Sequence, residues 1–168
     1  MPRGIPMEQA NRSVRETLMS DHRVFERLAD AVDRSRLRSP GEMRELLAAT
    51  LDVLVSALEA HEGLEETVLS DVPGPRSKEW EKARRTAELQ HDGIASLIKD
   101  MRIIVSDPSR YRSEHLSSLA LLLAKDLREH VAHEETTLLK DLPALDRAVA
   151  AGALDAQRRV QAMLGRMP

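Results

Sequence analysis

Cysteine is absent from this 168-residue chain. That excludes disulfides, thiolate metal sites and cysteine nucleophiles together. Aromatic residues are almost missing as well, with one Phe, one Tyr and one Trp. Together with few β-branched residues, this argues against a sheet. No apolar run approaches the ~18 residues that a membrane helix needs, and the N-terminal stretch lacks the apolar segment of a secretory signal. Charge is near balance at −3, and the basic residues, 20 Arg and 5 Lys, are spread along the chain. An evenly mixed surface gives no electrostatic footprint for nucleic acid. The expectation is a cytoplasmic protein with neither nucleic-acid nor membrane partners. At 42% hydrophobic, residues 1–168 suit a single domain with a sizeable core.

Breaks divide the chain into long helical blocks. Ser39-Pro40-Gly41-Glu42 offers an N-cap, a proline at the first helical position and a capping-box glutamate. Asp71-Val72-Pro73-Gly74-Pro75-Arg76-Ser77 is a second break, with Ser77 placed to cap the next helix. Ser106-Asp107-Pro108-Ser109 and Asp141-Leu142-Pro143 are two more. Helices are therefore predicted near 9–37, 40–70, 77–105 and 112–140, followed by a weaker helical tail over 143–165. Each main helix runs for roughly 28 residues, or ~42 Å at 1.5 Å per residue. Short connections between four such helices predict an all-α, up-down-up-down four-helix bundle with a core over 9–140 and a short C-terminal extension.

A metal-ligand pattern occurs twice, at a constant offset of 69 residues. His22, His61 and Glu65 recur as His91, His130 and Glu134, with a spacing of 39 from first to second histidine in each half. Glu65-Glu66-Thr67-Val68-Leu69 also matches Glu134-Glu135-Thr136-Thr137-Leu138. A repeated supersecondary unit whose ligands meet near a pseudo-two-fold axis accounts for this register.

The heptad pattern puts these six residues on the core seam. Leu18, His22, Phe25, Ala29 and Val32 keep a 3-4 spacing in the first helix. In the second, Leu47, Leu54, His61 and Val68 share one position, and Leu51, Leu58 and Glu65 share its neighbour. The third runs Ala87, His91, Ile94, Ile98, Met101, Val105; in the fourth, Leu116 and Leu123 lead to His130, and Ala120 and Leu127 to Glu134. Two glutamates thus occupy slots that earlier heptads fill with leucine or alanine. An unpaired buried carboxylate costs several kcal/mol, and a cation removes that penalty. His-x-x-x-Glu spacing puts both side chains on one helix face, a turn apart. Four imidazoles and two carboxylates form a nitrogen/oxygen donor set suited to Fe, Mn or Zn. Shared between two ions, they leave open positions for a small ligand, and charge balance adds an oxo or hydroxo bridge.

A carboxylate site of the ferritin type is the sharpest competitor, since Glu88-Leu89-Gln90-His91 has the Glu-x-x-His form. That architecture needs the motif on two helices, and no second copy exists here. His133 borders the seam, and His115 lies off it on the surface. Glu66 and Glu135 point away from the axis, where a solvated role or the orienting of an imidazole suits them better than ligation. Tyr111 falls at a bundle end.

With these residues in place, the chain resembles the hemerythrin-like family of HHE cation-binding domains over about residues 15–142. Asp21-His22-Arg23 is similar to the family's first-helix histidine, and Gln90-His91-Asp92 to its third-helix histidine. His61-Glu62-Gly63-Leu64-Glu65-Glu66 and His130-Val131-Ala132-His133-Glu134-Glu135 resemble its two His-x-x-x-Glu-Glu segments. The resemblance implies a non-haem di-iron centre, with His22, His61, His91 and His130 as terminal ligands and Glu65 and Glu134 as bridges. Oxygen-carrying members use five histidines with a bridging glutamate and a bridging aspartate. The four-His, two-Glu set looks more like the bacterial branch of iron-sulfur-cluster repair and stress response. This resemblance implies a protein that binds or senses O₂ or NO, or handles iron. A peroxide- or NO-directed enzyme is the alternative, and a structural or Zn-bound bundle a further one. Open coordination positions are the sole support for the enzyme, because no general base, nucleophile or separate substrate pocket is legible.

Overall fold

Ser39 and Glu42 form the predicted capping box. The Glu42 carboxylate accepts from the Ser39 backbone N–H at 3.1 Å and from its hydroxyl at 2.6 Å. These bonds hold the Glu42 carboxyl below its ordinary range. They start the second of four helices in a computed structural model that describes residues 14–70, 77–107, 109 and 112–141. The helices are α1 (Val14–Ser35), α2 (Pro40–Ser70), α3 (Lys78–Ser106) and α4 (Ser113–Thr137), followed by one 3₁₀ turn at Leu139–Asp141. Ser77 caps α3 as expected, its hydroxyl accepting from the Trp80 N–H at 3.1 Å.

The helices form a four-helix bundle in which each neighbour in sequence is a neighbour in space and α4 closes the ring on α1. Its core consists of the seam residues the heptads pick out, among them Leu18, Phe25, Leu47, Leu54, Met101, Leu123 and Leu127. A smaller apolar cluster of Leu69, Ala83, Ala87 and Leu138, covered by Trp80, closes one end. α2 and α3 pack least closely of the four adjacent pairs, and two openings lie along this seam. Arg44 of α2 spans the seam near the end of α3, donating to the Ile104 carbonyl at 2.7 Å.

Helix ends differ modestly from expectation. α1 stops at Ser35, whose hydroxyl turns back to the Val32 carbonyl at 2.6 Å. Leu37 therefore falls in the turn and is 86% exposed. α4 gives way to the 3₁₀ turn three residues early, which buries Leu138 and Leu139 completely. Residues 9–13, Tyr111 and the expected tail over 143–165 lie outside the described residues.

Candidate metal centre

Each helix delivers its seam residues to one level of the bundle. α1 contributes His22, α2 contributes His61 and Glu65, α3 contributes His91, and α4 contributes His130 and Glu134. All six are brought together between the main core and the small end cluster. His22, His61, His130 and Glu134 are fully buried, Glu65 nearly so, and the His91 side chain retains 12% exposure. Two overlapping groups of donors, His22/His61/His130/Glu134 and His61/Glu65/His91/Glu134, each offer ligand atoms within 4.8 Å of one another.

Glu134 organises the cluster. Its Oε2 lies 3.0 Å from His22 Nε2 and 3.2 Å from His61 Nε2. Its Oε1 lies 3.4 Å from His91 Nε2 and 3.3 Å from His130 Nε2. Each carboxylate oxygen thus faces the histidine pair of one sequence half. The Nε2 atoms of His91 and His130 are 3.3 Å apart, a separation that two ligands of one ion would adopt at metal–nitrogen distances near 2.1 Å. Glu65 is placed less symmetrically, with its Oε2 3.6 Å from His91 Nε2.

The sequence profile of the hemerythrin HHE cation-binding domain matches residues 13–142. The chain belongs to this family. No curated protein and no solved structure matches the chain.

The donor set of this hemerythrin HHE domain fits a cation. Among the described residues, Glu134 is ion-paired with no lysine or arginine, and its close partners of opposite charge are imidazoles. Its Oε1 is buried without a hydrogen-bond partner. A carboxylate cut off from water in this way needs positive charge beside it. In the metal-free protein, protons supply it. Burial opposes charge on Glu134, but the surrounding histidines outweigh it and hold this carboxyl far below its ordinary range. Burial likewise opposes charge on His61, yet Asp21 and Glu134 push that ring up to about 10. His91 is raised against its burial by Glu134 and Glu65. His130 is driven down to about 3 by burial and the neighbouring imidazoles. Burial and then the charge of Glu134 raise Glu65 to about 7. The metal-free cluster is therefore a set of competing protonation sites, and a metal would replace those protons.

Further residues hold the imidazoles from behind. His22 Nδ1 donates to Glu135 Oε1 at 3.1 Å, the orienting role that suited this residue in the sequence. Its repeat mate Glu66 is exposed instead. Asp21, 7% exposed, puts Oδ2 3.8 Å from His61 Nδ1, which is ion-pair distance rather than a hydrogen bond. Sequence reasoning gave Asp21 no role, although a signal existed. Asp21 shares a heptad position with Leu28, which is buried. Phe25 stacks edge-on against His61 with ring centroids 5.0 Å apart. His133 is not part of the cluster; its Nε2 donates to the Ala83 carbonyl at 2.9 Å, tying α4 to α3. His115 is exposed near the start of α4.

An opening of about 280 Å³ between α2 and α3 reaches the cluster at Glu65 and His91. Glu62, Glu66, Glu88 and Asp92 rim it, with Arg84 held by Glu88 at 2.9 Å. A larger groove of about 580 Å³ continues along the same seam over Val55, Leu58 and Ile98 and shares Glu62. None of the six ligand candidates lines it, so its size carries no argument about the centre. Among the described residues, no helix is long and apolar enough to cross a membrane.

Proposed function

We propose that this hemerythrin HHE domain holds two iron ions between His22, His61, His91, His130, Glu65 and Glu134, and binds or senses O₂ or NO there. The observation that carries this reading is the Glu134 carboxylate, set with one oxygen toward each histidine pair. Such a carboxylate suits a bridge between two ions. When bound, paired iron supplies redox chemistry and coordination positions free for a diatomic ligand. The chain's own residues do the rest. His22 and His61 are fully buried on one side of the centre. Glu65 and His91 stand where the opening admits a small molecule, and Phe25 keeps the ring faces dry. Two divalent ions carry four positive charges, and Glu65, Glu134, Asp21 and Glu135 offer four negative ones. Mn and Zn satisfy the same donor types, so the metal's identity is decided by analysis.

Anaerobic loading with Fe(II), elemental analysis and optical spectra under O₂, NO and H₂O₂ test the proposal. Two ions per chain and a reversible O₂ or NO adduct are expected. Sustained consumption of peroxide or NO would favour the enzyme reading, and iron-free protein saturating with Zn the structural one. Iron handling in stress response and cytoplasmic residence belong to the same proposal.

A further inference from the structure

The two halves of the centre are related by the 69-residue offset, yet what stands behind their imidazoles differs. The offset that carries His61 to His130 also carries Asp21 to Gln90. In the first half, Asp21 of α1 backs His61 of α2, with Oδ2 3.8 Å from Nδ1. In the second, the same offset gives Gln90 of α3 the equivalent sequence position relative to His130 of α4. Two buried atoms there have no hydrogen-bond partner: Gln90 Oε1 and His130 Nδ1. One is an acceptor and the other, in a ring whose Nε2 faces the centre, is a donor. A buried donor and a buried acceptor left unpaired are each costly, and pairing them removes both costs. Resting on the two-ion reading above, we propose that Gln90 is the positioning residue of His130, its amide oxygen taking the Nδ1 proton, where in the first half Asp21 faces His61 Nδ1 at ion-pair distance.

The exchange of carboxylate for amide makes the halves chemically unequal. His22 and His61 are backed by two carboxylates, Glu135 and Asp21. His130 is backed by a neutral amide, and His91 lies beside the opening, whose rim includes Glu66, the repeat mate of Glu135. A carboxylate accepting the Nδ1 proton raises the basicity of the ligating nitrogen more than an amide does. Asp21 and Gln90 therefore serve different ions. Gln90 shares its heptad position with Leu97, which is buried, and its Oε1 is itself buried at the seam.

The test is an anaerobic titration of the metal-free full-length chain with Co(II), followed by calorimetry and proton NMR. Gln90→Leu is expected to weaken one of two binding steps about 10–100-fold, the range found when such outer partners are lost. Asp21→Leu should weaken the other step. In the Co(II)-loaded protein, Gln90→Leu should also remove or speed the exchange of one strongly shifted imidazole N–H signal. Gln90→Glu, which keeps an acceptor, should restore that signal and tighten the same step. Unchanged steps in Gln90→Leu, or weakening of the same step by both leucine variants, would overturn the assignment. Wild type saturating at one ion would instead overturn the two-ion reading, and this inference with it. Melting of the metal-free variants with the wild type shows that the fold is intact. If Gln90→Leu is too unstable to load, the Gln90→Glu titration decides alone: an unchanged step overturns the proposal.

Discussion

The His22 ring faces Glu135 across 3.1 Å at Nδ1 while its Nε2 points at Glu134 across 3.0 Å. Carboxylates at both nitrogens fix the ring plane, and a metal bound at Nε2 would find the ring already oriented. Glu135→Ala is expected to weaken metal binding about 10–100-fold. Glu135→Gln, which still accepts the Nδ1 proton, should lose less. Competition against a chelator measures both. Equal affinity in wild type and Glu135→Ala would show that the ring needs no such support.

His61→Ala and His130→Ala should abolish most metal content, whereas His133→Ala and His115→Ala should leave it intact. Burial at the cluster separates the first pair from the second. His133→Ala should nonetheless reduce stability by about 1 kcal/mol, because the link from its Nε2 to the Ala83 carbonyl is lost. Elemental analysis and urea unfolding of the four variants separate the two effects. Similar metal loss in all four would contradict the placement of the cluster.

The bundle and its six clustered residues were legible because heptad position reports burial directly. A histidine or glutamate in a slot that Leu54, Leu58, Leu123 or Leu127 fills one turn-pair away has nowhere to go but the core. Heptads do not report which way a ring nitrogen turns, so they mark Asp21 as a buried position, shared with Leu28, without showing that it stands behind His61. The repeat also presents Glu65 and Glu134 as equals. Packing breaks that equality: Glu134 sits among four imidazoles, whereas Glu65 stands toward the looser α2–α3 seam and the opening. The turn at Leu37 escapes the sequence for a different reason. Helix propensity alone does not end a helix, and here the Ser35 hydroxyl and the capping box at Ser39 do so.

Entry of the metal should depend on the rim of the opening. Glu62, Glu66 and Asp92 are not among the donor groups, yet they surround the way to His91. Fields of one sign around a cleft raise on-rates by about 10-fold or more at low salt. Glu62→Lys/Glu66→Lys should slow Co(II) uptake about tenfold in stopped-flow at low ionic strength, with final stoichiometry unchanged. An unaltered uptake rate would mean that the ion enters elsewhere.

Glu65 gives the metal-free protein a pH dependence of definite sign. Its carboxyl is raised to about 7 in the fold by burial and by Glu134, so the folded state holds this proton more tightly than the unfolded chain. The stability it contributes is complete below about pH 4.5 and is lost as pH rises through about 7. Glu65→Gln cannot ionise and escapes that loss. Its stability relative to wild type should therefore climb between about pH 4.5 and 7 and level off above. Urea unfolding in the presence of chelator measures the difference. A constant gap across this range would show that Glu65 is not buried beside a charged Glu134.

Metal and fold are coupled through the same two carboxylates. An ion that binds only the folded bundle adds RT ln(1 + [M]/Kd), about 4 kcal/mol at a thousandfold excess over Kd. For a domain of this size that should raise the melting temperature by roughly 10 °C. Without the ion, Glu134 is compensated only by protons on neighbouring histidines, and Glu65 is pushed toward neutrality. Replacing both with leucine removes two buried acids from a seam otherwise built of leucine and alanine. Glu65→Leu/Glu134→Leu should then bind no metal yet melt at or above the temperature of the metal-free wild type. Thermal melts of loaded, metal-free and double-variant protein decide the matter. If loaded and metal-free wild type melt together at proven occupancy, the ion does not sit in the core. If the double variant melts well below the metal-free protein, the two acids stabilise the bundle through their hydrogen bonds to the histidines, and the strain ascribed to them is absent.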